Sequence, residues 1–346
     1  MNRSGIALAM TAAALFGLST PFAKLLLAHV GPWTLAGLFY LGAGIGLAIV
    51  RATRPARATE TAIVRRDTPW LLASILAGGV AGPLLLMLGL DRTSAAAASL
   101  MLTLEGVATA LLAWFIFREN FDRRVLFGMS CIIGGAAMLA YQGAFSITGV
   151  VGPLAIAGAC LAWGIDNNLT RRISLADPVQ VAMLKGLAAG PVNLALGLAV
   201  GERPPALLTG LAAGLVGFLG YGVSLALFIR ALRDLGTART AAYFSTAPFI
   251  GAVLAIPIVG ETYSIQLLAA GALMAAGVWL HATERHIHEH EHEPIEHSHR
   301  HAHDEHHRHT HEPSDPPDEP HTHRHVHARL RHSHPHVPDA HHRHKH

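Results

Sequence analysis

The chain has 346 residues, 51% hydrophobic and 14% charged, with a formal net charge of +3. Soluble globular domains carry roughly 25% charged residues, so this composition excludes an ordinary soluble enzyme. The small positive balance, spread between apolar runs, excludes a basic nucleic-acid-binding patch.

A hydrocarbon layer of about 30 Å takes about 20 apolar residues per helix. In chain order, such runs occupy 5–28, 32–50, 69–90, 94–117, 125–143, 150–170, 178–200, 206–230, 239–259 and 264–282. The first run continues through Leu25–Leu27 and is read as a retained span rather than a cleaved leader. With the N-terminus in the cytoplasm, 14 arginines fall on inner segments, while Arg92 and Arg203 fall in outer loops. That bias orients the chain, and ten spans return the C-terminus to the cytoplasm. Cys131 and Cys160 lie inside apolar runs and are read as small packed side chains, not as a disulfide framework.

Within 94–143 and 236–282 the residues match at an offset of 142: Glu119 falls on Glu261, Gly135 on Gly277 and Gly106 on Pro248. The first and sixth spans match at an offset of 147, with Gly17 on Gly164 and Lys24 on Arg171. Five spans per half is an odd number, so the second half enters the membrane upside down. The expected fold is an all-α polytopic membrane protein of ten transmembrane helices in two inverted five-helix repeats, 1–143 and 144–282, with a disordered histidine-rich tail over 283–346. Secondary transporters built this way place their cargo site near the midplane.

The run Leu104-Glu105-Gly106 through Trp114-Phe115-Ile116-Phe117-Arg118-Glu119, with Gly134–Gly135 after it, resembles the fourth-helix signature of the drug/metabolite transporter superfamily, specifically its EamA-type family. Ala162-Trp163-Gly164 with Asp166-Asn167-Asn168 looks like that family's repeat-opening helix, and Ala247-Pro248 to Gly260-Glu261 like its ninth. The resemblance covers residues 5–282. It implies ten helices, alternating access around a central cavity, and small metabolites, amino acids or drugs as cargo, often moved outward. Two departures stand out: Gly106 occupies a position where the family commonly has proline, which puts the kink of helix four in doubt, and the first repeat opens with Phe16-Gly17 rather than Trp-Gly.

Ionisable groups inside a bilayer point to function or to a partner. Glu105 lies about 17 Å along its helix, near the midplane; it could exchange a proton, hold a cationic substrate, or simply be satisfied by a neighbouring helix. Asp166, Asn167 and Asn168 either mark a break in the sixth helix or neutralise Arg171 or Arg172. Lys185, about 10 Å into its span, could meet an anionic substrate or pair with Glu105 or Asp166. Trp163, Tyr221 and Tyr243 offer ring faces for a pocket or for helix packing. Lys24 and Arg171 sit near helix ends, where they can snorkel. Prolines such as Pro83 and Pro248 can free backbone carbonyls. There is no P-loop and no nucleophile triad, so the body is not read as an enzyme.

The sequence changes character after Leu280: residues 281–346 hold 24 of the 25 histidines, with 12 acids against 8 Lys and Arg. His-x-His steps run through His286, His288, His290 and His292, then His297, His299, His301 and His303, then His321, His323, His325 and His327. So few apolar residues cannot build a core, and disorder is expected. Imidazole suits zinc, nickel, cobalt and copper. The tail is therefore expected to bind such ions, although the body requires no cofactor.

Together these features predict a secondary transporter of the inner membrane that exports a small polar metabolite or drug. Glu105 would be its proton- or cation-responsive group, with Trp163, Asp166, Asn167, Lys185, Tyr221 and Tyr243 along the path and a metal-binding regulatory tail. Its partners would be the bilayer, the cargo and protons; a homodimer is left open. Two alternatives remain: a nickel, cobalt or zinc exporter, and a membrane-anchored metal buffer that transports nothing.

Overall fold

The computed structural model describes residues 3–53, 63, 65–117, 123–141, 147–170, 173, 177–235 and 237–283, together with four strands between 286 and 336. Arg118, Glu119, Arg171, Arg172 and His303 lie outside the described residues. The first two spans are α1 (Arg3–Leu27) and α2 (Pro32–Ala52). The third is α3 (Thr68–Ser74), a π-helical stretch Ile75–Ala81 and α4 (Gly82–Asp91). The fourth is α5 (Ala95–Met101) and α6 (Leu104–Phe117), and the fifth is α7 (Arg123–Ala140). In the second half, α8 (Ile147–Thr170) and α9 (Pro178–Ala199) are followed by α10 (Leu207–Gly217), a π-helical stretch Phe218–Val223 and α11 (Ser224–Leu235). Helices α12 (Thr237–Phe244) and α13 (Ala247–Val259) form the ninth span, and α14 (Ile265–Ala282) is last. Among the described residues nine segments are long and apolar enough to cross a membrane; α14 adds a shorter apolar stretch, Ile265–Leu280.

The packing is pseudo-symmetric. Helix α1 packs on α13 as α8 packs on α6, and α1 packs on α11 as α8 packs on α4. The pairs α2–α9, α7–α14 and α5–α13 complete the set. Exchanging each span for the one five later in the chain returns the same pairings. The α2–α9 crossing depends on facing glycines: a Cβ at Gly186 would stand 2.5 Å from the Gly44 nitrogen and 2.6 Å from its Cα. Without side chains there, the two backbones approach closely enough for dispersion to hold them in lipid.

The fourth span breaks although it has glycine where the resemblance expects proline. Thr103 N donates to Leu100 O (3.0 Å) and Gly106 N to Thr103 O (3.2 Å), while Thr103 Oγ1 donates to Leu100 O (2.8 Å). These i→i+3 bonds tighten the turn around Thr103. The ninth span breaks in the same way, with Thr246 N and Oγ1 both donating to Tyr243 O at 3.2 and 2.7 Å. The kink therefore rests on a threonine in each half, not on proline alone.

One end of the bundle is laced by charge. Glu202, in the loop after α9, accepts from the α2 amides of Trp33 (3.2 Å) and Thr34 (2.8 Å). Glu261, after α13, accepts from the α5 amides of Ala95 (2.5 Å) and Ala96 (2.9 Å). In both places a carboxylate of the second half satisfies the orphan donors of a helix in the first. Lys24 Nζ caps α4 through Leu90 O (2.7 Å) and Asp91 O (3.2 Å), so it binds carbonyls rather than only snorkelling. At the other end Arg51 pairs with Asp177, which also caps α9 through Val179 N (2.9 Å). Glu261→Ala is expected to cost about 1–2 kcal/mol, the scale of a lost cap; thermal unfolding in detergent checks it, and an unchanged midpoint would refute the capping role.

Within the tail, β1 (His286–His292) pairs with β4 (Leu330–His336), and β2 (Ile295–His301) with β3 (His321–His327), both antiparallel. His-x-His steps repeat with the period of a strand.

Candidate functional site

The polar centre of the bundle is assembled by one helix. On α8 the angular step of 100° per residue spreads Asp166 and Thr170, then Trp163, then Asn167 and Asn168 across neighbouring sectors. Those sectors face three different spans. The helix runs unbroken from Ile147 to Thr170, so of the two readings of Asp166–Asn168 the helix break does not occur.

Toward the seventh span, Asp166 Oδ1 pairs with Lys185 Nζ at 2.5 Å, and Lys185 also donates to Thr170 Oγ1 (2.8 Å). Thr170 in turn donates to Asp166 Oδ1 (2.8 Å), one helical turn away. The side chains of Lys185 and Asp166 are only 7% and 13% exposed, so each charge depends on the other. Of the two carboxylates left open for Lys185 by the sequence, it meets Asp166.

Toward the third span, a proline and a change of helical register leave two carbonyls without a helical donor. In the π-helical stretch, Gly82 N donates to Ala77 O, five residues back. Continuing that pattern, Gly78 O would need the N–H of residue 83, and the α pattern would require the same group for Gly79 O. Residue 83 is proline and has none. Side chains satisfy both acceptors instead: Trp163 Nε1 (3.0 Å) and Tyr40 OH (2.5 Å) donate to Gly78 O, and Asn193 Nδ2 (3.0 Å) donates to Gly79 O. Gly78 must also lack a side chain, because a Cβ there would fall on the Asp166 carboxylate.

Toward the fourth span, Asn167 Nδ2 donates to Glu105 Oε1 (2.8 Å) and Thr109 Oγ1 (3.3 Å), and Asn168 Nδ2 donates to Thr109 O (3.2 Å) and Gly164 O (2.8 Å). Glu105 sits in the first turn of α6, directly after the break, where the helix end favours a negative group. It is half-buried and Asn167 is exposed. No cationic side chain among the described residues pairs with Glu105.

Aromatic rings close the remaining side. Tyr221, in the second π-helical stretch, has its ring centroid 5.7 Å from Phe16, 5.5 Å from Phe39 and 5.6 Å from Tyr40; Phe16 is 6.2 Å from Trp163. Tyr243 does not join them: its neighbour Phe244 meets Phe16 at 5.6 Å instead. Sequence reasoning missed Tyr40, Phe16, Thr109 and Thr170. Pro83 signals one carbonyl in need of a donor, that of Gly79, whereas Tyr40 binds Gly78 O, which loses its helical donor only in the π register.

The sequence model of the EamA-like transporter family matches this chain twice, over residues 3–141 and 150–283. The chain belongs to the EamA-like transporter family. This EamA-like protein is accordingly a multi-pass membrane transporter and not an enzyme. An uncharacterized transporter of Methanothermobacter thermautotrophicus is 31% identical over 288 residues, covering 78% of this chain and 84% of the relative. A probable 4-amino-4-deoxy-L-arabinose-phosphoundecaprenol flippase subunit ArnE of Pseudomonas fluorescens is 36% identical over 80 residues, 23% of this chain and 69% of ArnE. A crystal structure of a protein 21% identical covers 82% of this EamA-like chain and 99% of its own, with a TM-score of 0.59; the likeness is one of fold.

Proposed function

We propose that this EamA-like transporter moves a small polar metabolite or drug out of the cell across the inner (plasma) membrane, with Glu105 holding either a proton or a cationic group of the cargo. The observation that carries the reading is the contrast between two membrane-embedded carboxylates. Among the described residues Asp166 is neutralised by Lys185, whereas the Glu105 carboxylate accepts from the amide of Asn167 and meets no cation. One carboxylate that takes a proton or an amine, never both, couples their movements in opposite directions. The rings of Tyr40, Trp163 and Tyr221 suit an organic cation. The ArnE relatives are named for a lipid-linked amino sugar, and an amine is the group Glu105 would take. The exchangeable pairings of the two halves support an inverted repeat, with both termini cytoplasmic as the arginine bias indicates. A metal cargo is disfavoured: a dehydrated ion wants several imidazole, thiolate or carboxylate ligands, and no three His, Cys, Asp or Glu gather among the described residues.

The test is flux from proteoliposomes under an imposed proton gradient, comparing labelled primary and quaternary amines with anions of similar size. The gradient is expected to drive the amines at least about tenfold faster, the equivalent of ~1.4 kcal/mol of discrimination. Equal rates, or flux indifferent to the gradient, would overturn the reading.

A further inference from the structure

The tail strands pair in one register. In both ladders the two numbers of every partner pair add to the same total, so β1–β4 and β2–β3 follow a single hairpin alignment. In the first ladder His286 stands opposite His336, His288 opposite His334, and His290 opposite His332. In the second, His297 stands opposite His325, His299 opposite His323, and His301 opposite His321. The primary structure carries the same symmetry independently. Histidines occupy even positions in β1 and odd positions in β2, then odd positions in β3 and even positions in β4. Both strands of the hairpin thus shift by one residue at the same height, which keeps histidine opposite histidine on either side of the shift. Two isolated runs of His-x-His would have no reason to change phase together.

Directly opposed residues of an antiparallel pair share a face, with Cβ atoms about 4.5–5.5 Å apart. Metal–imidazole bonds are about 2.0–2.1 Å long, so a single ion bridges a pair at that spacing. Intervening positions carry mostly Glu, Arg, Ser and Thr, which supply little apolar cohesion, and an isolated two-stranded hairpin is marginal in water. Metal that binds only across paired strands contributes its binding free energy to their folding.

We propose that the paired strands β1–β4 and β2–β3 are clamped by metal, with the cross-strand histidine pairs holding divalent transition-metal ions of the zinc, nickel, cobalt and copper class. The ladder defines which histidines cooperate, and that separates it from a histidine-rich chain that binds ions indiscriminately.

Zinc is the probe, with the full chain in lipid nanodiscs and bound ions counted by equilibrium dialysis. His288→Ala with His334→Ala removes one opposed pair and is expected to lose one ion. His288→Ala with His332→Ala removes the same number of histidines but breaks two pairs, and is expected to lose two. Equal losses from the two double variants would overturn the proposal. A second readout uses nitroxides on Glu289→Cys and Ser333→Cys, opposed positions between the histidine rows, in a chain carrying Cys131→Ser and Cys160→Ala. Zinc is expected to collapse their separation to a narrow short distance. A broad distribution that zinc leaves unchanged would also overturn it.

Discussion

Lys185→Ala is expected to lower the unfolding free energy by about 3–5 kcal/mol, because it strands the Asp166 carboxylate in the bundle core without a counter-charge. The two side chains are 7% and 13% exposed and meet at 2.5 Å, with Thr170 bridging them. Water cannot take over from the missing ammonium at so little exposure. The double variant Asp166→Asn with Lys185→Met removes both charges while keeping similar volumes, and should recover most of the lost stability. Thermal unfolding in detergent reads the first effect and the rescue. If the single variant unfolds at the wild-type midpoint, the pair does not hold the structure. Transport by the rescued double variant then separates two roles: flux restored along with stability makes the pair structural, and flux still missing makes it part of the path.

Glu105→Gln is expected to reduce proton-driven transport about 100-fold or more while changing stability little. Glutamine keeps an oxygen acceptor for Asn167 Nδ2, which now donates to Glu105 Oε1 at 2.8 Å, so the hydrogen bond and the packing survive. What disappears is a group able to carry either a proton or a cation. Two decades in rate correspond to about 2.7 kcal/mol, the scale of one charge-assisted hydrogen bond between a carboxylate and a cation. Asn167→Ala provides the contrast, since it removes the hydrogen bond and leaves the carboxylate in place. Wild-type flux in Glu105→Gln would remove Glu105 from the coupling mechanism, whatever the fate of the Asn167 variant.

Much of the site was legible residue by residue, yet its wiring was not. Glu105, Asp166, Asn167 and Lys185 announce themselves because ionised or amide groups inside apolar runs need partners. Which partner each takes depends on which spans lie side by side. Lys185 had Glu105 and Asp166 as candidate partners, and it meets Asp166, 19 residues away. Tyr243 looked equivalent to Tyr221 in the sequence, but Tyr221 lies among Phe16, Phe39 and Tyr40 while Tyr243 misses them. The kink of the fourth span was doubted for want of proline, and Thr103 supplied it through its hydroxyl and a tightened turn.

By itself the sequence determined the features set by one-dimensional length and solvation. A bilayer of fixed thickness demands apolar runs of fixed length, so the spans are countable; period-two histidines lie on one side of a strand wherever a strand forms. The tertiary structure decided everything that depends on two distant segments meeting. Pro83 removes one helical donor, but the π-helical register sets which carbonyls go without, and only the packing of α2, α8 and α9 brings Tyr40, Trp163 and Asn193 to Gly78 O and Gly79 O. Glu202 and Glu261 read as ordinary loop acids until the fold places each against the amides of a helix more than 160 residues away in the chain. Hydrogen bonds and ion pairs act over about 3 Å, and no local pattern specifies which remote atoms will come that close.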